Sequence, residues 1–134
     1  MGRNGMIKWL AMAGFLLPGI ASAQEGFQLP SGNVFCEVEE NALRCDLVDF
    51  TFARPARPAD CETDWGHAYS LAARGTSRVL CAGDTVVNRG ARRLRYGDRW
   101  DGVGVTCHAE RTGLKCINAE GRGFELSRSR LNRF

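Results

Sequence analysis

The stretch CEVEENALRC, Cys36 to Cys45, decides the fold. Set Cys36 opposite Cys45 in an antiparallel pair. Glu37 then faces Arg44, Val38 faces Leu43 and Glu39 faces Ala42, with Glu40-Asn41 left as a two-residue turn. Cys36, Val38, Leu43 and Cys45 share one face, and Val34 opposite Leu47 extends it. That is the period of two a half-buried strand requires. The other face carries Glu37 and Arg44, read as a cross-strand ion pair. Directly opposed cysteines in such a ladder lie within reach of a disulfide.

The same spacing returns in CHAERTGLKC, Cys107 to Cys116. Here Ala109 faces Leu114 and His108 faces Lys115 across an Arg111-Thr112 turn, and the likeness in sequence stops at these two windows. Gly113 invites a longer loop with a bulge. Ala42 at the matching place resists positive φ, which favours the two-residue register in both copies. Six cysteines allow 15 pairings. Local geometry ranks Cys36–Cys45, Cys61–Cys81 and Cys107–Cys116 first, and the middle bridge closes the longest loop.

Metal or redox use of these thiols finds no support in the spacing. Zinc sites favour ligand pairs with two to four residues between them, a spacing no cysteine pair has here, and a redox C-x-x-C is also absent. An even set of cysteines in a short exported chain reads instead as a structural framework. Export is read from the first residues. Arg3 and Lys8 precede an apolar run from Trp9 to Ile20, followed by Ala21-Ser22-Ala23. That is the order of a cleavable signal peptide, and the run is short for a membrane span. The expected layout is therefore a signal over residues 1–23 and one domain over residues 24–134, with no transmembrane segment after cleavage.

Glycine-punctuated short strands continue to the C-terminus, with turns expected at Arg74-Gly75-Thr76, Gly83-Asp84, Gly97-Asp98 and Asp101-Gly102. A last strand is expected around Phe124 and Leu126. The fold class is all-β: a small disulfide-stapled sandwich or barrel of short hairpins, with HAYSLAAR as one possible helical turn. The expected core is Val34, Val38, Leu43, Leu47, Trp65, Leu71, Val79, Leu80, Val86, Trp100, Val105, Leu114, Ile117, Phe124 and Leu126.

The chain carries +3 at pH 7, unevenly spread. Residues 24–85 hold five arginines against ten acids; residues 86–134 hold ten arginines and Lys115 against five acids. Arg89, Arg92, Arg93, Arg95 and Arg99 form one basic segment, and Arg122, Arg128, Arg130 and Arg133 another. Such segments suit an anionic envelope component or an acidic protein, if they are not simply a solvated face or neutralised by the acidic half. Export makes nucleic acid a poor partner, and no cofactor is called for. Catalytic signatures are absent: neither G-x-S-x-G nor H-E-x-x-H occurs. One alternative is a small hydrolase, which needs Asp64, His67 or His108 to meet a hydroxyl or a second carboxylate in a pocket. The other is an enzyme inhibitor of the lysozyme-inhibitor kind, which rests on analogy of fold alone.

The segments PSGNVFC, RCD, RPADC, DWG, CAGDT, YG, GLKCIN and GRGFELSRSRL together resemble a family of small exported bacterial proteins known as a domain of unknown function. Its pattern runs SGN-x-x-C, C-x-G-D-T and G-x-G-F-x-L-S-R around six cysteines, and the resemblance covers Phe27 to Phe134. It implies an extracytoplasmic, disulfide-bonded single domain and lends no activity or catalytic residues.

Overall fold

The structure, a computed structural model, describes residues 26–134. The signal read over residues 1–23 lies outside the described residues. The described chain is all-β, with two sheets and no helix. No helix among the described residues is long and apolar enough to cross a membrane.

The first sheet is a five-stranded antiparallel meander of β1 (Phe27–Gln28), β2 (Val34–Glu39), β3 (Ala42–Leu47), β4 (Trp65–Ala72) and β5 (Arg78–Cys81). β6 (Arg92–Arg93) adds to it in parallel beside β1. The second sheet is another five-stranded meander: β7 (Arg99–Gly102), β8 (Val105–Glu110), β9 (Gly113–Asn118), β10 (Gly123–Leu126) and β11 (Leu131–Arg133). HAYSLAAR, for which a helical turn was one option, lies mostly in strand β4. Its alternation places Tyr69 opposite Cys45 and Leu71 opposite Leu43. The sequence reading ended the strands at Phe124 and Leu126, but β11 follows and pairs with them.

Both hairpins adopt the two-residue register, with Glu39 opposite Ala42 and Glu110 opposite Gly113. Glu40 reaches φ 59° to turn the first. Disulfides join Cys36–Cys45, Cys61–Cys81 and Cys107–Cys116, and the two hairpin bridges share a Cα separation of 4.0 Å. The turn expected at Asp101-Gly102 sits two residues later. Gly102 pairs with Val105, and Val103 and Gly104 turn the chain at φ 47° and 77°.

The likeness between the hairpins extends in three dimensions beyond the sequence windows. Across the first sheet one row reads Phe27, Cys36, Cys45, Tyr69, Val79; across the second it reads Trp100, Cys107, Cys116, Phe124, Arg133. The next row matches Val38, Leu43 and Leu71 with Ala109, Leu114 and Leu126. The sheets pack with equivalent aromatics opposed: Phe27 and Trp100 have ring centroids 5.2 Å apart, and Tyr69 and Phe124 6.5 Å. This row, with both hairpin disulfides, is the centre of the core. Most of the expected core is buried, while Val38, Val79, Leu80 and Ile117 are only partly so. Phe27, Leu29, Phe35, Tyr69 and Leu94 are additional fully covered members.

The outer face of the first sheet corrects one reading. Arg44 lies opposite Glu37, yet its ion pairs go elsewhere. Its Nε and Nη2 donate to the two oxygens of Asp46 at 2.8 and 3.0 Å, and its Nη1 donates to Asp84 at 3.1 Å. The segment after β5 folds back over this face, which leaves Arg44 and Asp46 4% and 1% exposed. Asp46 holds that segment down by accepting from the Thr85 hydroxyl and the Val86 amide, each at 3.1 Å. Burial works against the Arg44 charge, but the hydrogen bonds and charge of Asp46, with Asp84, outweigh it and raise the guanidinium pKa.

Candidate functional site

An antiparallel meander places alternate turns at opposite ends of its sheet. One end of the sandwich thereby gathers the β1–β2, β8–β9 and β10–β11 turns. The β10–β11 turn closes through Ser127 and Arg130, whose amides and carbonyls exchange bonds at 2.9 and 3.4 Å. Its Arg128 carbonyl accepts from the Thr51 amide at 2.7 Å, which ties the loop after β3 to it. Asn33 fixes the same loop to the β1–β2 turn, donating to the Asp49 carbonyl at 3.0 Å and accepting from its amide at 2.8 Å.

Between these turns runs an open groove of about 510 Å³. Arg111, Arg128 and Arg130 line it, with Glu110 as its one carboxylate. Ser31, Thr112, Ser127 and Ser129 bring hydroxyls, and Tyr96 brings an exposed ring. The Arg111 guanidinium stacks on that ring, 4.9 Å from its centroid, and forms no ion pair among the described residues. Such stacking orients a cation while leaving its N–H groups free. Arg128 reaches Asp49 at 3.5 Å with both groups exposed, a contact of little strength in water. Arg130 pairs with Glu125 at 3.1 Å, and a hydrogen bond from Asn132 lowers the Glu125 pKa, with Arg130 adding to the shift.

The nine arginines singled out in the sequence do not form one patch. Arg128 and Arg130 enter the groove. Arg92 and Arg93 form the edge strand β6, where Arg93 donates to the Pro30 carbonyl at 2.8 Å. Arg89 lies over the Phe35 ring at 5.3 Å. Arg95 faces Asp98 at 3.9 Å. Arg99 pairs with Asp101 at 2.9 Å, which raises the arginine pKa and, with the Thr106 hydroxyl, lowers the aspartate's. Arg122 sits in the β9–β10 turn at the other end, and Arg133 donates to the Ser77 hydroxyl at 2.9 Å. Among the described residues, the one ion pair joining a basic-half arginine to the acidic half is Arg128–Asp49. Arg111 was missed because its sequence neighbours mark it only as a turn residue; its place at an exposed hairpin tip was the available signal.

Asp64 and His67 line a second groove, also about 510 Å³, with Arg54, Asp84, Thr85 and Arg89. No hydroxyl–histidine–carboxylate relay forms there. The Thr85 hydroxyl is bonded to Asp46, and His67 Nε2 lies 3.9 Å from that carboxylate, beyond hydrogen-bond range. His108 is on the outer face of the other sheet, between Arg99 and Lys115. Among the described residues no three His, Cys, Asp or Glu side chains group as a metal site.

Fold and site together define a class: an all-β sandwich of two stapled meanders with a cation-lined groove at one end. The chain belongs to DUF6636, a family of unknown function whose model matches residues 10–134. Comparison with curated proteins and with solved structures finds no match.

Proposed function

We propose that this protein is an exported, non-catalytic binding module that engages an anionic partner of the cell envelope, or an acidic protein, through the groove. The observation that carries the reading is the placement of Arg111, Arg128 and Arg130 along one hydroxyl-rich concavity whose single lining carboxylate is Glu110, with the Asp49 and Glu125 partners of Arg128 and Arg130 lying outside that lining. A groove of this volume falls in the range of about 300–1,000 Å³ that holds discrete ligands. Guanidinium groups are the side chains best shaped for carboxylates and phosphates. Export is supported by the signal-like residues 1–23 and by three disulfides, which persist in oxidising compartments.

The test has two arms. Expressed with its leader, the protein should be recovered outside the cytoplasm with Gln24 as its first residue by mass spectrometry. Purified, it should be retained on an immobilised sulfated polymer and released by salt as screening shortens the reach of its charges. Arg111→Gln with Arg128→Gln should elute earlier than Arg92→Gln with Arg122→Gln, although both pairs remove equal charge. Equal elution of the two pairs would mean that net charge, not the groove, does the binding.

A further inference from the structure

The groove does not end at the turns. A shallow hollow of about 20 Å³ continues from it, sharing Glu110, Thr112, Gly113, Leu126, Ser127 and Arg130 and running onto the outer face of the second sheet. There it meets Lys115, whose ammonium lies 5.7 Å over the Phe134 ring. Arg128, Arg111, Arg130 and Lys115 therefore line one connected path, with Glu110 and Glu125 as its carboxylates. The second groove differs: its lining holds as many carboxylates as arginines, Asp64 and Asp84 against Arg54 and Arg89, and Asp84 is already engaged by Arg44.

We infer that this path holds a linear acidic polysaccharide of the uronic-acid class in extended form. The inference rests on the anion-binding reading above and names its ligand. Each part of the path answers a part of such a chain. Carboxylates recur along the polymer, and cations recur along the path. Sugar hydroxyls need many donors and acceptors, which Ser31, Thr112, Ser127, Ser129 and Glu110 supply. The exposed flank of Tyr96 offers an apolar surface to the C–H face of a sugar ring.

Other polyanions fit less well. A protein partner is anchored by large side chains seated in apolar pockets. Among the described residues the two exposed large apolar side chains, Val48 and Tyr96, line different grooves. Single-stranded nucleic acid uses successive aromatic platforms, and this groove has a single ring. An anionic bilayer is met by basic groups that project from the surface, whereas these cations line a concavity.

The test is calorimetric titration of the disulfide-intact protein with galacturonic acid as monomer, trimer and hexamer, and with a neutral galactose hexamer. Affinity should rise with length among the acidic sugars, and the neutral hexamer should not bind. Arg111→Gln should weaken the galacturonate hexamer about tenfold, the scale of one charge-assisted hydrogen bond. Lys115→Gln should weaken the hexamer about two- to fivefold, as an exposed ion pair does, and leave the trimer unchanged. Unchanged thermal unfolding of both variants assigns these losses to binding. Equal affinity for monomer and hexamer, or binding of the neutral hexamer, overturns the inference. If no galacturonate binds while phosphatidylglycerol vesicles or inorganic phosphate still do, the polysaccharide is wrong and the anion-binding reading stands. Failure of every anion refutes both.

Discussion

Replacing Asp46 with alanine tests the part of the first sheet that sequence reading placed least well. Its carboxylate is 1% exposed and accepts four hydrogen bonds, two from Arg44, one from Thr85 and one from the Val86 amide. Asp46→Ala leaves the Arg44 guanidinium buried with Asp84 and Glu39, whose side chains are 75% and 43% exposed and compensate weakly. Breaking a buried pair by removing one partner costs about 3–5 kcal/mol. That is a large share of the roughly 5–15 kcal/mol that holds a domain together. Arg44→Met added to Asp46→Ala removes the stranded charge. The Val86 amide and Thr85 hydroxyl are orphaned in both variants, at up to about 1–3 kcal/mol each. The double variant also loses the bond from Arg44 to the Asp84 carbonyl, but no stranded charge remains. The double variant should therefore be more stable than Asp46→Ala alone, as read from urea denaturation of disulfide-intact protein. If the two losses simply add, or if Asp46→Ala costs less than about 1 kcal/mol, the pair does not hold the covering segment and the reasoning fails.

Two further outcomes are expected. Burial pushes the Tyr69 hydroxyl up to about 12 from 10.0, and the hydroxyl donates to the Gly66 carbonyl at 2.9 Å. A raised phenol pKa favours the folded protein fully below pH 10 and loses that contribution as pH climbs through about 12, a loss of about 2–3 kcal/mol. Denaturation curves between pH 9 and 12 should show that decline, and Tyr69→Phe should flatten it. The second outcome concerns reduction. Cys81 is exposed, whereas both hairpin bridges are buried, so a mild reductant should open Cys61–Cys81 first. Peptide mapping of alkylated thiols would show it, and labelling of Cys36 or Cys107 ahead of Cys81 would contradict it. Cys61→Ala with Cys81→Ala should cost about 3 kcal/mol by loop entropy without unfolding the domain.

How much was legible follows from how local each determinant is. The hairpins could be read because opposed cysteines and a period of two fix the register, and a slip of one residue would turn every apolar side chain outward. Strands β1 and β6 could not: each has two residues, too few for any pattern, and β1 exists only by pairing with β2 and β6, while β6 exists only by pairing with β1. The outer-face ion pair was misplaced for the same reason. Glu37 is the cross-strand neighbour of Arg44, but the segment that buries Arg44 and supplies Asp84 comes 40 residues later. The charge segments were legible as composition and not as a surface, because successive residues of a strand point to opposite faces and successive turns to opposite ends. Hence nine flagged arginines gave two to the groove, and a hairpin tip gave the third.

The repeat itself explains why only one end carries this groove. Asn118 and Leu47 occupy equivalent places, opposite Val105 and Val34. At its end Asn118 donates to the carbonyls of Ala72 and Gly75 at 3.0 and 2.9 Å, and Glu120 accepts from the Gly75 amide at 2.8 Å. These bonds bind the β9–β10 turn to the β4–β5 turn, while Gly104 packs so closely on Ala73 that a side chain there would collide. That end is sealed. Leu47 has no side-chain amide to give, and after it the chain leaves as the long segment from Val48 to Asp64 instead of turning at once. The β1–β2 connection is also longer than the two-residue turn that matches it, so it stands clear of the β10–β11 turn and opens the groove between them. The aromatic–cystine row is kept in both halves because burial demands it. The ends are free to differ, and it is at the end where the halves part company that the unneutralised Arg111 lies.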